Sequence, residues 1–87
     1  MIHSLAGGKL REQQLFDFAK LEFENNPSQY FWYISEINDL RPNDYVLAPF
    51  GPLDELQKAK VVRVDKNILG TSAPLPVKRM KKITKKI

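Results

Sequence analysis

The feature that most constrains the fold of this chain is a short run of alternating side chains. After Phe18, apolar residues at positions 19, 21 and 23 alternate with charged residues at positions 20, 22 and 24. A period of two places the apolar side chains on one face of a β-strand and the charges on the other face. The run therefore predicts a strand that buries one face and exposes the other.

Three further segments have the composition and the boundaries of strands. Residues 30–35 begin with four consecutive aromatic residues and follow the turn-forming residues 25–28, which predicts a hairpin with the first strand. Residues 45–50 and 59–64 follow, after a turn at 40–44 and a polar connection at 53–57. Residues 65–76 contain a glycine and two prolines and are expected to form a loop.

For the C-terminal end of the chain, the sequence is compatible with two structures. Apolar residues recur there at helical spacing, which favours a short helix packed on the domain, and a final short strand is the alternative. These apolar residues are Val77, Met80, Ile83 and Ile87.

Together these segments predict a mainly β fold. About four to five short strands joined by turns favour a small twisted barrel of SH3-like or OB-like architecture, because closure removes exposed sheet edges. We expect a single domain over residues 15–87 with a basic C-terminal segment. Residues 1–14 are expected to be an irregular lead-in, in which Gly7 and Gly8 would interrupt a helix.

Composition restricts the chemistry of such a domain. The 87-residue chain has no cysteine, and its one histidine, His3, lies in the irregular lead-in. A thiolate-rich metal site is therefore excluded, and a catalytic group based on the one histidine is not expected in such a segment. We predict a non-enzymatic protein without metal or cofactor. The absence of cysteine, of a signal-peptide pattern and of a membrane-length apolar run predicts a cytoplasmic location and no integral membrane association.

Positive charge is concentrated at the C-terminal end. Six of the 14 lysine and arginine residues lie in the last ten residues, without an acidic residue among them. The rest of the chain has a net charge of −2, so this tail makes the chain basic, with a total of +4. Such asymmetry favours a polyanionic partner, and a solvated charged terminus is the alternative reading of the same composition.

Three motifs follow one another along residues 18–83. A strand ends in Pro49-Phe50-Gly51, a Val-Val-rich strand covers residues 60–64, and the segment Met80–Ile83 comes last. Their order resembles the small 3′-DNA-binding domain at the N-terminus of the primosomal replication-restart helicases, the primosomal protein N′ family.

The resemblance implies a pocket for the terminal nucleotide of a DNA 3′ end. Carried over to this chain, that pocket would use Phe31, Gly51 and Lys81. This chain has Phe31-Trp32-Tyr33 where the family pattern has Phe-Asp-Tyr, so the acidic residue of that pattern is absent from this position.

Three functions are therefore compatible with the sequence. The first is a non-catalytic module for single-stranded nucleic acid, DNA or RNA, or for a DNA 3′ end, because aromatic faces can stack on bases beside cations that follow phosphates. The alternative is a protein-interaction module that uses an aromatic patch or a strand edge, and a tail lying on an anionic membrane is a third reading. We expect at least two of the four consecutive aromatics to be buried. The predicted nucleic-acid-binding residues are Phe31, Trp32, Tyr33, Phe50, Gly51, Lys58, Lys60, Arg63, Lys78, Arg79, Lys81 and Lys82.

Overall fold

The computed structural model describes residues 14–87, so the expectations for residues 1–13, including Gly7 and Gly8, lie outside the described residues. Within the described range the chain forms six strands and two three-residue 3₁₀ turns, at Gly70–Ser72 and Val77–Arg79. The strands are β1 (Leu15–Phe23), β2 (Phe31–Ser35), β3 (Tyr45–Phe50), β4 (Glu55–Leu69), β5 (Lys82–Ile83) and β6 (Lys85–Lys86). They form one sheet in the order β5-β2-β1-β4-β3-β6, and the prediction of a small, mainly β, twisted barrel is confirmed.

The C-terminal segment brings the two edges of this sheet together. β5 pairs in parallel with β2, and β6 pairs antiparallel with β3, although a single residue separates the two short strands. The N–H of Ile34 donates to the carbonyl of Lys81 at 2.9 Å, and the N–H of Ile87 donates to the carbonyl of Tyr45 at 2.9 Å. One segment thus satisfies backbone groups of both β2 and β3, and the sheet becomes a nearly closed barrel.

The alternation in β1 sets the core as predicted. Ala19, Leu21 and Phe23 are completely buried, whereas Lys20 and Glu22 lie on the outer face. Alternate residues of the neighbouring strands join them in one cluster, because side chains that are opposite each other in a sheet share a face. The other buried members of this cluster are Tyr33, Leu40, Val46, Ala48, Ala59, Val61 and Ile83.

The run of four aromatic residues is less buried than predicted. Of the four, Tyr33 is buried, Phe31 and Trp32 are half-buried, and Tyr30 is 49% exposed. Phe31 packs against the core cluster from its edge. The expectation that at least two would be buried is wrong, because Tyr30 precedes β2 and Trp32 lies on its outer face.

β4 is much longer than the predicted strand at 59–64. It extends from Glu55 to Leu69, so much of the predicted polar connection and the first part of the predicted loop are strand. The reason is tertiary pairing: Glu55 lies opposite Phe50 in β3, and Leu69 lies opposite Leu15 in β1. Pairing with two neighbours provides backbone partners for residues whose own composition favours turns. The β1–β4 register shifts twice, and such bulges bend and twist a strand pair.

The predicted C-terminal helix is wrong, and the alternative, a short strand, is confirmed. Val77 begins a single 3₁₀ turn, while Ile83 lies in β5 and is completely buried. The spacing of the apolar residues did not distinguish a helix from a strand, because four apolar positions in eleven residues are compatible with either structure. Hydrogen bonding to β2 and β3 decides between them. Within residues 14–87, no helix combines the length and the apolar character needed to cross a membrane.

Candidate functional site

A pocket of about 390 Å³ opens beside β2 and the β3–β4 turn. Its volume lies in the range typical of small-ligand sites. Most of its wall is aromatic or apolar, and its charged lining residues come from the segment that leads into β5. The lining residues are Tyr30, Phe31, Trp32, Tyr33, Phe50, Gly51, Leu75, Arg79, Met80 and Lys81.

The aromatic wall of the pocket rests directly on the core. The ring of Phe23, completely buried beneath it, lies 5.8 Å from the ring of Phe31 and 4.6 Å from the ring of Phe50, centroid to centroid. Phe31 and Phe50 are themselves nearly perpendicular, with centroids 5.2 Å apart. Edge-to-face packing of this kind holds rings in fixed orientations. The two half-buried rings therefore present a rigid apolar surface to the pocket.

Tyr33 is the most deeply buried of the four consecutive aromatic residues in the pocket wall. Its hydroxyl donates a hydrogen bond to the carbonyl of Pro49 at 2.5 Å, and its side chain is almost fully buried. Burial, and to a smaller extent the negative charge of Asp54, raises the pKa of Tyr33 to about 12. The phenol therefore stays protonated at neutral pH and joins β2 to the end of β3.

Lys81 places a positive charge at this wall. Its backbone is fixed because its carbonyl accepts the hydrogen bond from Ile34 in β2. Its Nζ lies 2.9 Å from the carbonyl oxygen of Gly51 and 2.6 Å from Oδ1 of Asp54. An ammonium group has three hydrogens, so a third donor remains for a ligand.

The β3–β4 turn supplies both partners of Lys81. Gly51 has a φ of +81°, in the left-handed region that glycine adopts without strain, and Asp54 has a φ of +53°. The N–H of Asp54 donates to the carbonyl of Gly51 at 3.1 Å, which makes the turn tight. The turn thus directs a carbonyl and a carboxylate towards the same ammonium group. Trp32 lines the pocket at the position where the family resemblance expects an acidic residue, and the carboxylate beside Lys81 comes from this turn.

A cation and two aromatic rings adjoin the pocket on the outer face of the barrel. Lys20 Nζ lies 5.0 Å from the ring centroid of Tyr30 and 5.9 Å from that of Trp32, both of which line the pocket. In the sheet register, Lys20 stands between Trp32 of β2 and Arg63 of β4. Arg63 in turn pairs with Asp65, with Nε and Oδ1 2.8 Å apart. These side chains form a row across three strands, starting at the pocket.

The structure gathers one subset of the predicted residues into the pocket and leaves the others outside it. The subset in the pocket is Phe31, Trp32, Tyr33, Phe50, Gly51, Arg79 and Lys81. The residues that do not line it are Lys58, Lys60, Arg63, Lys78 and Lys82.

The cations outside the pocket have other neighbours. Lys58 lies over the ring of Tyr45 at 4.8 Å and 3.9 Å from a carboxylate oxygen of Glu24. Lys60 stands opposite Tyr45 in the register, and Lys82 pairs with Glu36 at 3.4 Å. Lys58 and Lys60 belong to β4, which is separated from β2 by β1 in the sheet and supplies no residue to the pocket.

The predicted binding residues lack Tyr30, which lines the pocket next to β2, and three residues from other parts of the chain. Leu75 and Met80 line the pocket from the segment between β4 and β5, and Asp54 holds Lys81. Leu75 is surrounded by prolines in a segment that composition alone identifies as a loop. No local signal marks it as part of a wall formed mainly by β2.

Among residues 14–87, no group of three or more His, Cys, Asp or Glu side chains could hold a metal ion. In the same range every buried side-chain nitrogen or oxygen has a hydrogen-bond partner. Comparisons of the chain with protein-family models, with curated proteins and with solved structures find no match.

Proposed function

We propose that this domain binds single-stranded nucleic acid and holds the nucleotide at a DNA 3′ end in the aromatic pocket. The observation that carries the proposal is the meeting of Phe31, Gly51 and Lys81 around one cavity. These residues come from β2, the β3–β4 turn and the segment before β5, so only the fold brings them together. They are also the three positions that the sequence resemblance assigns to such a pocket.

The chemistry of the pocket suits a nucleotide. The half-buried rings of Phe31 and Phe50 offer apolar surface on which a base can stack, and stacking tolerates any base. The remaining N–H of Lys81 can donate to a sugar or phosphate oxygen. A pocket wall that is already rigid loses little conformational entropy when a ligand binds.

The row of side chains on the outer face of the barrel can contact the nucleotides that precede the 3′-terminal one. Trp32 offers a half-buried ring, Lys20 lies opposite it in the register, and Arg63 lies opposite Lys20 on the other side, so two cations follow the ring across the sheet. Arg63 thereby keeps a role in this proposal although it does not line the pocket.

Protein recognition is the second candidate function, and exposed leucines at the β3–β4 hairpin favour it. Leu53 is 80% exposed and Leu56 is 57% exposed, next to the turn that borders the pocket. An apolar partner surface would bind there with little dependence on salt, whereas the affinity for a nucleic acid would fall as the salt concentration rises.

Fluorescence-anisotropy titration of short single-stranded DNA at low and at physiological salt tests the proposal. With two or three phosphate contacts, the logarithm of the binding constant should fall with the logarithm of salt concentration with a slope of about −1 to −2. Phe31→Leu should weaken binding roughly tenfold by removing a stacking face. The variant should cost less than about 1.5 kcal/mol of stability, because the replacement is also apolar and bulky.

Tyr45→Leu serves as the matched control, because it also replaces an aromatic ring with leucine, and Tyr45 is 41% exposed and does not line the pocket. It should bind DNA nearly as well as the wild type. A wild-type protein that binds no single-stranded DNA even at low salt would contradict the proposal and leave a protein partner as the better reading.

A further inference from the structure

The outer face of β4, β3 and β6 carries a line of apolar side chains. In β3, Val46 and Ala48 are buried in the core, so the residues that alternate with them face outward. Cross-strand neighbours continue this line into β4 at one end and past β6 at the other. We call it the apolar diagonal, and it consists of Leu56, Pro49, Leu47, Tyr45 and Ile87.

The middle of the apolar diagonal is lower than its ends. Leu56 is 57% exposed and Ile87 is 62% exposed, whereas Leu47 and Pro49 between them are half-buried. The diagonal runs along β3 from Pro49 to Tyr45 and crosses from β4 to the β6 side. With ordinary strand dimensions, its length is about 17 Å. The face therefore offers a shallow apolar groove.

Lysines lie on both sides of this groove. Lys58 and Lys60 of β4 are opposite Leu47 and Tyr45, and Lys85 of β6 is opposite Leu47 on the other side. Lys58 has one carboxylate partner, at 3.9 Å, and among residues 14–87 neither Lys60 nor Lys85 forms an ion pair. Strands on either side of a central strand are about 10 Å apart. An apolar groove is thus flanked by positive charge at that separation.

We propose that this face binds an acidic amphipathic helix of a protein partner. A helix is about 10 Å wide, which matches the separation of the lysines, and about eleven helical residues span the diagonal. Its apolar stripe would lie in the groove, and carboxylates beside the stripe would meet the lysines. At Leu47 both edges of β3 are paired, so a partner contacts the face and does not add a strand there. The inference is independent of the proposed function, because this face and the pocket share no residue.

The composition of the groove favours a helix over a nucleic acid or a membrane. Tyr45 is its one aromatic residue, and Lys58 Nζ already lies 4.8 Å from the centre of that ring. Aliphatic side chains give bases no stacking surface. A flat bilayer would meet the lysines before it reached the half-buried Leu47 and Pro49, whereas side chains of a helix can enter between them. Lys58 and Lys60, which lie outside the DNA pocket, thereby gain a role.

Fluorescence anisotropy with labelled model peptides tests this proposal. The first peptide has about 18 residues, with leucines along one face of the helix and glutamates on both sides of them. The second has the same composition with the leucines distributed around the helix, and the third has lysine in place of every glutamate. The wild type should bind the first peptide about tenfold or more tightly than the others, because only that peptide combines the apolar stripe with negative charge.

Two pairs of variants locate the peptide on this face. Leu56→Ser should weaken binding of the first peptide about tenfold, whereas Leu69→Ser, the same change at an exposed leucine at the other end of β4, should change it less than about twofold. Lys85→Glu should weaken binding about fivefold or more at low salt. Lys78→Glu makes the same change at an exposed lysine outside this face and should have an effect of about twofold or less. All four side chains are exposed, so the domain should stay folded.

Several results would overturn the proposal. They are no binding of the first peptide, equal binding of the first and second peptides, or equal effects of Leu56→Ser and Leu69→Ser. Single-stranded DNA and vesicles of phosphatidylcholine with phosphatidylserine are titrated against the same variants. If Leu56→Ser loses binding to either ligand and Leu69→Ser does not, the face belongs to that ligand and the proposal is wrong. Phe31→Leu should leave peptide affinity unchanged, so this proposal and the DNA pocket fail separately.

Discussion

Phe31 and Phe50 serve the core and the pocket with the same rings. Each packs against the buried ring of Phe23 and is still half-exposed towards the cavity. A site built in this way is rigid because its wall is the edge of the core. The cost is that truncation of either ring removes packing together with any stacking surface. For this reason Phe31→Leu tests binding better than Phe31→Ala, which removes more of the contact with Phe23 and Phe50 and would report packing together with binding.

Tyr33→Phe should lower the stability of the domain and change how stability depends on pH. The loss of the hydrogen bond leaves the Pro49 carbonyl without this donor, which should cost about 1–2 kcal/mol at pH 7. In the wild type the pKa of Tyr33 rises from 10 to about 12 on folding, so the folded state keeps a proton that the unfolded state has released. The stabilising contribution is therefore complete below pH 10 and falls as the pH rises towards 12.

Urea denaturation of both proteins from pH 7 to pH 11 measures this effect. The lysines titrate in both proteins, so the difference between the two free energies of unfolding isolates Tyr33. That difference should decrease by about 1 kcal/mol by pH 11. A constant difference over this range would mean that the phenol is not protected by burial.

At the scale of elements, the C-terminal segment 81–87, which contains β5 and β6 and closes the barrel, has two structural roles. Ile83 fills the core between β2 and β3, and Lys81, two positions earlier, enters the pocket. The strand that closes the barrel therefore also positions the pocket cation. Composition describes the basic tail equally well as a solvated terminus, but four of its ten residues form the short strands β5 and β6.

Ile83→Ala and Lys85→Ala should have very different effects although both lie in this segment. Ile83 is completely buried, so its truncation should cost about 2–5 kcal/mol. Lys85 is exposed, so its truncation should change the free energy of unfolding by no more than about 0.5 kcal/mol. Denaturant titration of the two variants checks both values.

Hydrogen exchange provides an independent check on the closing strand. The Ile34 amide, which donates to Lys81, should lose protection in Ile83→Ala and keep it in Lys85→Ala. Equal, small effects of the two variants would show that the barrel does not depend on this segment.

For the whole molecule, the sequence predicts the features that depend on neighbouring residues, and it misses those that depend on pairing between distant segments. The alternation in β1 and the bounds of β3 were predictable, because side-chain period and turn residues are local signals. The full length of β4 was not, because Leu69 is in a strand through its pairing with Leu15. Phe31, Gly51 and Lys81 could be nominated from motif order, whereas Asp54 could not, since its position beside Lys81 depends on closure of the barrel.

The distribution of charge also changes once the chain is folded. Tail cations that form a block in the sequence are divided among acidic residues of the body: Lys82 pairs with Glu36, and Lys86 lies 3.6 Å from Asp39 and 3.2 Å from Asp44. The Arg41 N–H, and secondarily Lys86, hold the pKa of Asp44 below its ordinary value. The tail therefore does not act as one uniform positive patch.

Two double variants that remove the same charge from the tail should consequently differ in DNA binding. Lys78→Gln with Arg79→Gln alters the segment that lines the pocket, and should weaken binding of single-stranded DNA about tenfold at low salt. Lys82→Gln with Lys86→Gln removes cations that pair with carboxylates of the body, and should change affinity by less than about threefold. Anisotropy titration of both variants in the same buffer compares them directly. Because their net charges are identical, equal losses of affinity would mean that binding follows total charge, whereas unequal losses in this order would place the ligand at the pocket.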